Sequence, residues 1–61
     1  MKNLQLLIGA TGVTVTMFRF HGYVLIGNER FVARSYVLIE EGTKVFVHKV
    51  ELNQLIIAPL N

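Results

Sequence analysis

The side chains able to do acid, base, nucleophilic or metal chemistry in this chain are few and scattered. They comprise two imidazoles, His21 and His48, a single serine, Ser35, and four carboxylates, Glu29, Glu40, Glu41 and Glu51, with no cysteine or aspartate. A metal centre draws on His, Cys or carboxylate ligands at recurring spacings. Neither histidine has a second one at such a spacing, and Glu51 is expected on the strand face opposite His48. Both histidines therefore read as surface or strand-end residues. Glu40-Glu41 resembles a carboxylate pair, but neighbours on an extended chain point to opposite faces and cannot converge on one proton. Ser35 has no G-x-S-x-G elbow around it and no aspartate to complete a triad. Gly9-Ala10-Thr11-Gly12 lacks the length and the lysine of a phosphate loop, so close backbone packing at a first strand is its expected use. The expectation is a non-enzymatic domain with no catalytic residue, no cofactor and no metal.

Basic and aromatic residues offer a different chemistry. Arg19, Tyr23, Arg30 and Arg34, with Lys44 nearby, could line one outer face, and single strands of nucleic acid are bound by cationic grooves with stacking rings. Against this stand the absence of tryptophan, the need for several of the few rings inside, and four glutamates that bring six basic residues down to a net charge of only +2. Arg30 and Arg34 would equally serve to keep an outer strand face from pairing with a neighbour. Nucleic acid is the alternative reading and the disfavoured one.

The elements that must position these groups follow from alternation. Apolar residues do not recur at three and four, and β-branched and aromatic residues dominate from Val13 onward, which predicts strands. Gly9, Gly12, Gly22, Gly27 and Gly42 punctuate the chain, and Gly27-Asn28-Glu29 and Leu52-Asn53 read as hairpin turns. Five strands are predicted, over 11–20, 22–27, 30–35, 43–50 and 54–58, with Pro59 at the end of the last. A chain of 61 residues holds one small domain, and five short strands in it bury one face best by closing. The fold class is therefore all-β, a five-stranded OB-fold-type β-barrel. The segment 36–41 is too short for a helix. Residues 1–8 read as a lead-in or linker remnant, and 9–61 as the barrel domain.

Strand parity then assigns faces. Thr14, Thr16, Phe18, Val24, Ile26, Phe31, Ala33, Val45, Val47, Leu55 and Ile57 are predicted to face inward. Val13, Val15, Met17, Tyr23, Leu25, Val32, Phe46 and Ile56 are predicted to face outward, an apolar exterior larger than a solvated barrel carries. With 52% hydrophobic and 16% charged residues, that grease points to an interface. The candidate protein-interaction residues are Val15, Met17, Tyr23, Leu25, Val32 and Phe46. No unbroken apolar run approaches the ~18 residues of a membrane span, and the leucines after Lys2 are too few for a signal peptide.

Several segments in order carry a family resemblance: Leu7-Ile8-Gly9-Ala10-Thr11-Gly12-Val13, Gly22-Tyr23-Val24-Leu25-Ile26, Glu29-Arg30-Phe31-Val32-Ala33-Arg34-Ser35, Ile39-Glu40-Glu41-Gly42-Thr43-Lys44-Val45 and Leu55-Ile56-Ile57-Ala58-Pro59. Together they resemble the soluble C-terminal domain of the NfeD family over nearly the whole chain. The resemblance implies an OB-fold barrel at the end of a membrane protein that works beside stomatin- and flotillin-like (SPFH) proteins. Membrane association would then come only through segments absent from this chain, with the cytoplasmic side favoured. Long family members add a serine-protease domain, and nothing here matches one. Ser35 matches the family's strand-end serine, whose implied role is hydrogen bonding at a turn. The sequence departs from the family at Phe20, where Pro is usual, at Leu52, where Gly commonly turns the last hairpin, and in a segment from Ser35 to Gly42 shorter by one residue. Asn53 is expected to supply the left-handed conformation instead. Freed from a membrane part, such a domain could also form a homo-oligomer through its apolar face.

Overall fold

In the computed structural model, which describes residues 3–60, five strands close into one barrel. They are β1 (Thr11–Thr14), β2 (His21–Ile26), β3 (Glu29–Arg34), β4 (Lys44–Glu51) and β5 (Gln54–Pro59), preceded by one 3-10 turn, Leu4–Leu7. The order around the barrel is β1-β2-β3-β5-β4, with β4 returning to β1. All neighbours are antiparallel except β3 and β5, which run parallel through Ala33↔Leu55 and Arg34↔Ile56. Two tight hairpins supply most of the wall. β2 and β3 pair from His21↔Arg34 to Ile26↔Glu29 across Gly27-Asn28, and β4 and β5 pair from Val45↔Pro59 to Glu51↔Gln54 across Leu52-Asn53.

The core is aliphatic with one ring. Phe18, Val24, Ala33, Ile39, Val45, Val47, Leu55 and Ile57 form a buried cluster, with Leu4, Leu7, Ile26, Phe31 and Val50 packed at its margins. Burying a side chain of this size contributes about 1.5–3 kcal/mol, which is how a barrel without disulfides can hold. The predicted lead-in takes part, because Leu4 and Leu7 cap one end of the cluster. Gly9 and Ala10 follow and lie against β4, where the Gly9 N–H donates to the Val47 carbonyl at 2.9 Å and the Val47 N–H to the Ala10 carbonyl at 2.9 Å. Met1, Lys2 and Asn61, which belong to the predicted lead-in and domain end, lie outside the described residues.

Four features differ from the sequence expectation. β1 ends at Thr14 rather than 20, since Thr16 replaces a ladder carbonyl with its own side chain: its Oγ1 accepts the Tyr23 N–H at 3.0 Å. Thr16 is consequently half-buried at the rim and not inside. The chain then turns to bring Phe18 into a bridge with Ile39, and Ile39, predicted in a loop, becomes a core residue. Finally Ile56, predicted on the exterior, is 1% exposed. It lies outside the central cluster, so its direction is as predicted. A bulge between Val47 and Lys49 shifts the register so that Ile56 sits between Lys49 and Arg34. Both are half-buried, and long cationic side chains cover apolar surface with their aliphatic stems while the charge stays wet.

Close approach explains two glycines. A Cβ on Gly12 would stand 2.3 Å from the Leu25 carbonyl oxygen, and one on Gly22 would stand 2.5 Å from Thr16 Oγ1 and 3.0 Å from the Phe18 ring. Gly12 thus lets β1 pass tightly under β2, the backbone packing expected of that segment.

Candidate functional site

The polar groups that looked most chemical in the sequence are engaged in holding loops. Ser35 is buried at the end of β3, where its Oγ donates to the Val37 carbonyl at 2.8 Å and accepts the Val37 N–H at 3.1 Å. That is the turn role implied for it. Thr14, also buried, ties the loop before β4 to the barrel. Its Oγ1 donates to the Glu40 carbonyl at 2.8 Å and accepts the Thr43 N–H at 2.9 Å. His21 stands on β2 opposite Arg34, and His48 sits at the β4 bulge with its ring edge-on to Phe46, centroids 6.3 Å apart. Among the described residues no three His, Cys, Asp or Glu side chains gather as a metal site would require.

The bulge at His48 puts Lys49 and Glu51 on one outer face and returns Val50 to the core margin. There Lys49 Nζ bridges Glu51 Oε2 at 2.9 Å, and the Tyr36 hydroxyl donates to Glu51 Oε1. The same ammonium lies 5.6 Å from the Tyr36 ring centroid. Glu51 is held below the usual carboxylate range, first by the Tyr36 hydrogen bond and then by Lys49, while the Tyr36 phenol is raised by its bond to that carboxylate. All three groups are exposed to water, so the cluster is a surface clasp between the β3–β4 loop and the β4–β5 hairpin.

The predicted interaction residues divide into three places. Tyr23 and Val32 face each other across the β2–β3 ladder and are 43% and 49% exposed. Leu25, half-buried, continues the face beside Val13 of β1 and opposite Arg30. Val15, also half-buried, adjoins this face by donating its N–H to the Tyr23 carbonyl at 3.0 Å. Met17 lies instead in the β1–β2 loop, and Phe46 lies on β4 opposite Thr11, across β1 from the β2–β3 hairpin. Of the four residues of the nucleic-acid alternative, Tyr23, Arg30 and Arg34 share the β2–β3 hairpin, with the Arg30 guanidinium 5.6 Å from the Tyr23 ring centroid. Arg19 is separate, beside Met17.

Sequence reasoning missed one apolar surface. Met17, Arg19, Phe20, Tyr36, Val37 and Leu38 line an open groove of about 470 Å³ between the β1–β2 and β3–β4 loops. All five apolar or aromatic members are exposed. The available signal was Tyr36-Val37-Leu38 itself, three large side chains in a row in a segment too short for a helix, of which only the next residue, Ile39, goes inside.

Comparison with known proteins gives this surface a context. The family model for the NfeD-like C-terminal, partner-binding domain matches residues 4–59. Among solved structures, the C-terminal domain of stomatin operon partner protein 1510-C from Pyrococcus horikoshii is similar, with a TM-score of 0.89 and 27% identity, covering 100% of this chain and 98% of that one. Comparison with the curated proteins gives no match. A family match that begins with the capping turn at Leu4 and runs to Pro59 spans every element of the barrel, and the chain belongs to the NfeD family as its C-terminal, partner-binding domain.

Proposed function

We propose that this domain is a non-catalytic docking module for a stomatin- or flotillin-like (SPFH) membrane protein, and that it serves as one component of a membrane assembly. The observation that carries the reading is the half-exposed Tyr23–Val32 pair on a closed barrel. On a solvated strand face two large apolar side chains directly opposite one another gain only about 0.2–1 kcal/mol, whereas in an interface core they gain their full burial. Leu25 and Val15 extend this patch, and Met17 and Phe46 are flanking contacts. Support for the SPFH class comes from the stomatin operon partner to which the chain is similar along its whole length. No helix among the described residues is long and apolar enough to cross a membrane. On this reading, membrane attachment comes through other segments of the full protein and through the partner, on the cytoplasmic side.

The test is sizing of a mixture of the chain with a purified SPFH protein, repeated with Val32→Ser and Leu25→Ser. Co-migration with the native chain, weakened about tenfold or more by either substitution at unchanged thermal stability, is the expected result. Equal association of both variants would remove the β2–β3 face from the interface. Light scattering of the chain alone across concentrations distinguishes a homo-oligomer that uses the same face.

A further inference from the structure

The outer face of the β2–β3 hairpin carries charge of one sign. Cross-strand register sets His21 opposite Arg34, Tyr23 opposite Val32 and Leu25 opposite Arg30. An apolar pair is thus flanked along β3 by an arginine two residues to either side. The two arginines are four residues apart, about 13 Å at roughly 3.3 Å per residue. The carboxylates lie elsewhere. Glu40 and Glu41 are in the β3–β4 loop, and Glu29 is at the turn end of the hairpin opposite Ile26. Glu51, the one whose field reaches Arg34, is bonded to Lys49 and Tyr36. The ion pair that Glu51 forms goes to Lys49, not to Arg34.

From this alternation we infer that the β2–β3 face recognises an acidic amphipathic helix of a protein partner, with Arg30 and Arg34 each receiving a carboxylate and Tyr23 and Val32 receiving the apolar side chain between them. Arginine presents a planar fork suited to carboxylates, and buried apolar contact between two such pairs excludes water from them. A helix supplies the matching pattern with acids seven residues apart, about 10 Å, a difference that the flexible arginine stems span. A protein fits this face better than nucleic acid does. Its exposed rings are Tyr23 and His21, and the aliphatic Val32 and Leu25 beside Tyr23 suit an apolar side chain, not a run of stacked bases. The inference rests on the docking role proposed above and names the chemistry of the surface that is docked.

The decisive probe is a designed helical peptide of about 18 residues carrying two glutamates seven apart with leucines between them on the same face. Its counterpart has lysines in place of the glutamates. Binding to the native chain is followed by fluorescence anisotropy at about 25 and about 300 mM salt. The glutamate peptide should bind about tenfold or more tightly than the lysine peptide at low salt, and the preference should shrink at high salt. R30Q/R34Q should lose that preference, whereas R19Q, at an exposed arginine away from this face, should keep it. Unchanged binding by R30Q/R34Q, equal binding of the two peptides, or no binding of either would overturn the inference. So would tighter binding of a single-stranded oligothymidylate, or of vesicles containing phosphatidylglycerol, by the same two arginines. Should R30Q/R34Q fail to fold, the two peptides and two salt levels on the native chain decide alone. Failure of the docking role looks different. There the SPFH protein does not associate with the native chain at all, whereas association that is indifferent to R30Q/R34Q and to salt sinks only the acidic-helix inference.

Discussion

Leu52→Gly should make this barrel more stable, and the reasoning can be worked from the hairpin alone. The β4–β5 turn places Leu52 at φ 52° and Asn53 at φ 62°, both central residues left-handed, as a two-residue hairpin of the right twist requires. Asparagine tolerates that region. Leucine suffers a clash of its Cβ with the following carbonyl oxygen costing roughly 1–2 kcal/mol. Leu52 is 86% exposed, so its removal forfeits almost no burial. Glycine in turn gives the unfolded chain more freedom, which offsets about 0.5–1 kcal/mol. The net expectation is a gain of about 0.5–1 kcal/mol. For a domain of this size each kcal/mol moves the melting temperature by about 4–8 °C, so urea and thermal unfolding both resolve it. The midpoint should rise with no change in m-value. A variant no more stable than the native chain would mean that Leu52 is relaxed where it stands or that its exposed side chain is held by contacts the isolated barrel does make.

Ile56→Ala should cost about 2–4 kcal/mol in the same unfolding assay, while Val32→Ser changes stability by less than about 1 kcal/mol; similar losses at both positions would contradict the burial of one and the exposure of the other. Thr14→Val keeps the shape but removes the acceptor of the Thr43 N–H and one of the two hydroxyls that donate to the Glu40 carbonyl, and should cost about 1–3 kcal/mol, with faster amide exchange at Thr43 as the local readout. Tyr36→Phe removes the largest cause of the depressed Glu51 carboxyl pKa, so the carboxyl titration followed by NMR should move upward. Because that pKa is depressed in the folded chain, its stabilising effect is present above the ordinary carboxylate pKa and lost as pH falls through the folded value. The native chain should accordingly lose more stability than Tyr36→Phe on acidification, and parallel acid profiles would refute the clasp.

Alternation made the barrel legible. β2, β3, β4 and β5 fall within a residue or so of their predicted bounds, because apolar and polar residues alternate along them and the turns at Gly27-Asn28 and Leu52-Asn53 separate them in pairs. Ser35 was readable for a similar reason, its only plausible work being local. What escaped was whatever depended on a partner distant in sequence. Nothing in Val15-Thr16-Met17 announces that a threonine hydroxyl, not a carbonyl, will meet Tyr23, so β1 was drawn too long. The burial of Ile56 needs the bulge at His48 and the stems of Arg34 and Lys49, three positions from two other strands. The apolar groove forms from a segment whose length says only that it is too short for a helix, and length does not reveal the exposure of Tyr36, Val37 and Leu38. The candidate face is half legible: parity turns Tyr23, Leu25 and Val32 outward, but only the strand register makes them neighbours and sets Phe46 across β1 from them.

The two hairpins that make up most of the barrel wall are joined by very little. On one side β3 meets β5 through two residue pairs, Ala33↔Leu55 and Arg34↔Ile56; on the other, the four-residue β1 meets β2 through Val13↔Leu25 and Thr14↔Val24. The Tyr23–Val32 pair proposed as the centre of the docking face lies on one hairpin, so a force applied to it there would reach the other hairpin through the shared core and those short seams. Under such a load the two-pair seams between the hairpins give way before the six-pair ladders within them. The Tyr36–Glu51 clasp, which ties the β3–β4 loop at the end of the first hairpin to the tip of the second, adds a tie between the two.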